Sequence, residues 1–148
     1  MNDYLENIYV VDTCVLMEDP DVVNTLGQCT IVIPVAVVRE LDGLKLSSIP
    51  KKAQTARRAS RNLDKLGSHQ NFPYGTITVA GSVVKIYGGH TKIDDLESCA
   101  DNKILGAAIR LKKDNKHCNV VVLTNDCNLR IIARTYGIEA TSYPLGLN

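Results

Sequence analysis

Apolar residues fall along this chain in two rhythms. Short runs that are apolar on both faces, "NIYVV", "CTIVIP" and "NVVVL", read as buried strands. Between them, apolar positions recur three and four apart, the spacing of amphipathic helices. Pro34 opens one such helix, "PVAVVRELDGLK", in which Val37, Leu41 and Leu44 share a face. Residues 51–66 form another, with a thin stripe of Ala53, Ala56, Ala59 or Ser60, Leu63 and Leu66. Asp19 and Pro20 suit the start of a helix over "DPDVVNTLG", with Gly27 to end it. Asp95 suits the cap of a long helix, "DLESCADNKILGAAIRLKK", and "DCNLRIIARTYG" reads as a helix ended by Gly137. "TITVAGSVVKIYGG" reads as one strand or a hairpin, and "IEATSY" as a last short strand. Alternating strands and helices, with strands apolar on both sides, predict a three-layer α/β/α sandwich around a mainly parallel central sheet.

With 148 residues, 45% of them apolar, the chain matches one domain spanning 1–148 with a real core. No run reaches membrane-spanning length, no signal peptide opens the chain, and a cytoplasmic home is expected. Cys14, Cys29, Cys99, Cys118 and Cys127 are odd in number, widely spaced and without a CxxC pair. They read as small apolar residues of a reducing compartment rather than a zinc or disulfide framework. His69, His90 and His117 fall in polar, turn-like stretches and read as exposed.

A net charge of +1 hides an uneven distribution. Between Lys45 and Lys65 there are seven Lys or Arg and one acid, Asp64. Arg57, Arg58, Arg61 and Lys65 share a helical face, with Lys51 and Lys52 at its entry. Such a stripe is either a solvated surface or a track for phosphates. Aromatic residues for base stacking are scarce near it, apart from Phe72 and Tyr74, which favours backbone contact over base reading.

The acids are placed differently. In an open α/β sheet, ligands bind outside the carboxyl ends of the strands. Asp12 follows "YVV" and Asp126 follows "VVVLTN", so both are aimed at one edge. Glu40 borders the apolar stripe of its helix. Asp101, four before Leu105 and seven before Ala108, shares a largely buried helical face. Each acid alone has a structural explanation: Asp12 capping a turn, Asp126 capping a helix, Glu40 paired to a base. Four on converging faces need a counter-charge, and a hard, oxygen-seeking Mg²⁺ or Mn²⁺ supplies it.

"VVDTCVL", "VVRELDGLK", "CADNKILGAAI" and "VVVLTNDCNLRIIARTYGIEA" resemble, in order and spacing, the four acidic motifs of PIN-domain ribonucleases. The resemblance covers nearly the whole chain. It is nearest to the PIN domain at the N-terminus of PhoH-like ATPases, where a basic helix also follows the second motif. It implies that Asp12, Glu40, Asp101 and Asp126 are catalytic and bind the metal, and that Thr124 supports the first acid. It implies metal-dependent endonucleolytic hydrolysis of RNA, and the basic stripe of Lys51, Lys52, Arg57, Arg58, Arg61 and Lys65 is then expected to bind single-stranded RNA through its phosphates. It also leaves open a homodimer and, if the chain is a piece of a longer protein, an attached PhoH-like ATPase domain. No GxxxxGK[ST] phosphate loop is present.

Three rivals stand beside this reading. A haloacid-dehalogenase-type phosphatase needs a second acid two residues after the first, where Cys14 stands. A nucleic-acid-binding or assembly PIN module would keep the acids and cleave little. A toxin-type ribonuclease of a toxin–antitoxin pair would share the chemistry.

Overall fold

Every residue of Thr30–Pro34 is buried, a pattern only a strand covered on both faces can hold. The computed structural model describes residues 6–67, 75–78, 80–93 and 99–146. Its strands are β1 (Glu6–Val11), β2 (Thr30–Pro34), β3 (Thr76–Ile77), β4 (Val83–Tyr87), β5 (Cys118–Leu123) and β6 (Glu139–Thr141). They form one sheet in the order β3-β4-β2-β1-β5-β6. All neighbours run parallel except β3 against β4, so the segment expected as one strand or a hairpin is an antiparallel pair.

The helices are α1 (Thr13–Glu18), α2 (Val35–Leu44), α3 (Pro50–Gly67), α4 (Ala100–Asp114) and α5 (Cys127–Thr135). The long helix α4 lies against β1, β2 and β5, while α1, α2 and α3 pack on one another. The expected α/β/α sandwich is the observed fold. Its core joins Val10, Val11, Ile31, Ile33 and Leu123 of the sheet to Leu16, Leu41, Leu63, Ile104 and Leu105 of the helices.

Two local expectations differ from the structure. The helix expected over "DPDVVNTLG" is a single 3-10 turn, Val22–Asn24. The Asp21 amide donates to the Asp19 carboxylate at 3.0 Å, a side-chain turn that competes with helix propagation. A helix does form just before it: α1 begins directly after Asp12, its N-cap. Asp95, His69, Phe72 and Tyr74 lie outside the described residues. His90 and His117 are exposed, and all five cysteines are free. Among the described residues, no helix is long and apolar enough to cross a membrane.

Candidate active site

The register of β1 on β5 builds the centre of the site. Val11 pairs with Leu123, so the next residues, Asp12 and Thr124, leave the sheet side by side. The Asp12 amide still donates to the Leu123 carbonyl at 3.0 Å, extending the ladder by one bond. Asp12 is only 6% exposed and Thr124 is fully buried. A buried carboxylate needs compensation. The Thr13 amide donates to Asp12 Oδ1 at 2.7 Å, making Asp12 the N-cap of α1. The Thr124 hydroxyl donates to Oδ2 at 2.6 Å and the Cys14 thiol at 3.2 Å. Among the described residues no cation forms an ion pair with it.

Thr124 also reaches the second acid. Its hydroxyl oxygen accepts from the Asp126 amide at 3.1 Å. Asp126 is the N-cap of α5 and accepts from the Asn128 and Leu129 amides at 2.9 and 3.4 Å. Both bonds use Oδ1, so capping does not engage Oδ2. The Arg130 guanidinium donates to the Thr124 carbonyl at 2.8 Å, which brings one positive charge to this edge.

Glu40 comes from α2, half-buried, and accepts from the Thr13 hydroxyl at 2.9 Å. Thr13 thus holds Asp12 through its amide and Glu40 through its hydroxyl. Burial pushes the Glu40 carboxyl above its ordinary value, and the charges of Asp12 and Asp101 push the same way against the Thr13 hydrogen bond. Asp101 stands in the first turn of α4. Partial desolvation raises its carboxyl too, with Asp12 and then Asp126 as the charges responsible. The charges of Asp12 and Asp101 thus reach Glu40, and those of Asp12 and Asp126 reach Asp101. One expectation needs correcting: Asp101, in the first turn of α4, does not share the burial of Leu105 and Ala108 but is exposed.

The donor set is all carboxylate, hard and oxygen-only, which suits Mg²⁺ or Mn²⁺. As the side chains stand, no three metal-ligating side chains among the described residues close on a common point.

The basic residues of α3 are less uniform than their spacing suggests. Arg58 makes a two-pronged ion pair with Asp21, at 2.7 and 3.2 Å, beside Asn62, which bonds Asp21 and the Pro20 carbonyl. Arg57 donates to the Lys45 carbonyl at 3.3 Å. Lys51 and Lys52 are exposed beside Met17 and Glu18 at the end of α1, and Asn125 bonds Glu18 from the acidic edge. Thr13, Cys14 and Asn125 were not expected at the site; Asn125 N also donates to the Cys14 sulfur at 3.4 Å.

Four carboxyl groups stand at one edge of a mainly parallel sheet, and residues 9–144 match the family model of the PIN domain. The chain belongs to the PIN-domain family, whose members are generally nucleases. Among curated proteins it is similar to Protein PhoH2 of Bacillus subtilis (strain 168), 28% identical over 152 residues, covering 94% of this chain and 33% of that protein. It is also similar to Protein PhoH2 of Mycolicibacterium smegmatis, 27% identical over 153 residues, covering 97% of this chain and 33% of that protein. The chain spans about a third of the length of these relatives. A solved domain of a functionally unknown protein from Methanocaldococcus jannaschii DSM 2661 shares the fold, with a TM-score of 0.61 at 23% identity over 97% of this chain and 94% of that one.

Proposed function

We propose that this chain is a divalent-metal-dependent endoribonuclease domain that hydrolyses phosphodiester bonds of single-stranded RNA at the Asp12–Glu40–Asp101–Asp126 edge. The observation that carries the reading is a buried Asp12 held by the Thr124 hydroxyl at the end of β1, with Glu40 reaching it through Thr13 and the carboxyls of Glu40 and Asp101 pushed up by burial and by neighbouring acids. A bound Mg²⁺ or Mn²⁺ would supply Lewis-acid activation of water and neutralise charge developing on the phosphate. The chain's own part is positioning. Thr124 and the Thr13 amide lock Asp12 in one orientation, so it enters the reaction without rearrangement. Glu40, steadied by Thr13, is placed to orient the attacking water and to accept its proton. Asp101 and Asp126 complete the ring. Lys51, Lys52, Arg57, Arg61 and Lys65 are assigned to the RNA phosphates; Arg58 contributes through its hold on Asp21.

A second reading, a binding or assembly module with little catalysis, draws on the open arrangement of the acids. Single-turnover cleavage of a labelled single-stranded RNA in Mn²⁺ separates the two. The nuclease reading expects cutting that stops in EDTA and falls about 10²- to 10³-fold in Asp126→Ala, the scale of losing one preorganised electrostatic element, while RNA still binds. Binding without cutting by the wild type would establish the module instead.

A further inference from the structure

A cavity of about 300 Å³ lies beside the acidic edge, where the start of α2, the segment after β4 and α4 meet. Val35, Arg39, Tyr87, His90, Lys103 and Ala107 supply its chemistry, and no carboxylate lines it. Arg39 directly precedes Glu40, and Lys103 stands two residues after Asp101. The helical turn puts each cation on a different face from its acidic neighbour, so positive and negative groups segregate into adjoining sites. Neither Arg39 nor Lys103 enters an ion pair among the described residues.

The wall of the cavity is built by close approach. The Thr91 amide donates to the Gly106 carbonyl at 2.9 Å, and a Cβ at Gly106 would collide with the Thr91 carbonyl oxygen. A Cβ at Gly89 would collide with the Tyr87 hydroxyl, so the ring folds over a residue that has no side chain. The segment after β4 is thereby strapped to α4, with the Tyr87 ring lining the cavity against Gly89.

We propose that this cavity holds one nucleotide of the strand being cut, its phosphate on Arg39 and Lys103 and its base against the Tyr87 ring. The assignment rests on the nuclease reading above and gives that site its substrate-positioning pocket. Two cations and a polar His90 suit a phosphate; the ring with Val35 and Ala107 suits a base face. A free inorganic anion would leave the apolar half of the cavity unused, and an apolar ligand would leave both cations unused. A nucleotide seated here would hand its neighbouring phosphodiester to Glu40 and Asp101.

The test is an NMR titration of the full chain with adenosine 5′-monophosphate and, separately, ribose 5-phosphate, at low salt in EDTA. Adenosine 5′-monophosphate should shift the amides of Gly88, Gly89, His90 and Ala107 and leave those of α3 in place. Arg39→Ala with Lys103→Ala should weaken both probes about tenfold or more. Tyr87→Leu should weaken adenosine 5′-monophosphate about tenfold and leave ribose 5-phosphate unchanged; the wild-type shift map stands on its own if this variant folds poorly. Shifts confined to α3, or no saturable shift at the cavity, overturn the proposal. So does equal binding of both probes in every variant. Because EDTA removes metal chemistry, the outcomes separate: a chain that binds here but never cuts RNA keeps the pocket and loses the nuclease, and a chain that cuts normally with the cavity silent does the reverse.

Discussion

The acidic edge and the basic helix carry opposite charge and are held in opposite ways. At the edge, strand register puts Asp12 beside Thr124, and burial with three donors leaves the carboxylate one orientation. On α3, the buried stripe of Ala53, Ala56, Ala59 and Leu63 only dictates that the cations face outward. What each cation does there is decided by neighbours far away in the chain. Arg58 is taken by Asp21, and Arg57 leans on the Lys45 carbonyl. Groups placed by a ladder keep their geometry; groups placed by helical periodicity keep only a side. The edge should therefore respond to single substitutions strongly and the helix weakly.

The largest contrast is in metal-linked stability. If the edge binds a divalent ion only when folded, Mn²⁺ at about 100 times its dissociation constant should add about 2.7 kcal/mol to stability. Asp12→Asn should abolish that gain, read as a melting temperature that no longer rises with Mn²⁺. An equal gain in Asp12→Asn would place the ion elsewhere, and the edge would lose its distinction from the helix.

Next come the supports. Thr124→Val keeps the shape of a fully buried side chain but strips a hydrogen bond from a buried carboxylate, at a cost of about 1–3 kcal/mol in denaturant unfolding. Arg58→Ala breaks a solvent-exposed ion pair and should cost less than about 1 kcal/mol. Equal costs would erase the contrast.

On the helix, Arg57→Ala with Arg61→Ala should lower the salt slope of RNA binding by about 0.7 for each phosphate that is no longer neutralised. Arg58→Ala should change it less, because its guanidinium is already engaged by Asp21. Identical slopes in wild type and both variants would return α3 to a solvated surface.

The smallest effect is on pH. Without divalent ions, Glu40 and Asp101 titrate above their ordinary range in the folded chain. The folded state then binds more protons than the unfolded one, so their contribution to stability is complete below the ordinary carboxylate range of about 3.9–4.3 and is lost as pH rises through the raised values. Glu40→Gln should flatten that decline in metal-free thermal melts. An unchanged slope would mean that Glu40 is not strained by its neighbours.

Much of the edge was legible in the chain because apolar runs announce where strands stop, and Asp12 and Asp126 stand just past two of them. The capping roles foreseen for both acids also hold. α1 was hidden because a helix of six residues is too short to display a helical period in its apolar positions. Thr13 to Glu40 and Cys14 to Asn125 span 27 and 111 residues, and no local pattern encodes them. The diversion of Arg58 to Asp21, 37 residues away, was invisible for the same reason. Asp101 was expected too deep, since helical spacing reports a face and not how well the first turn of a helix is covered.

The claim at the centre is that the four acids form one divalent-ion site. Crystals of the chain grown with Mn²⁺ and measured at a wavelength where manganese scatters anomalously test it directly. The account expects an anomalous peak at coordinating distance from Asp12, shared with Asp126 or Asp101 and missing from Asp12→Asn crystals. A peak away from this edge, or none there at saturating Mn²⁺, would contradict it.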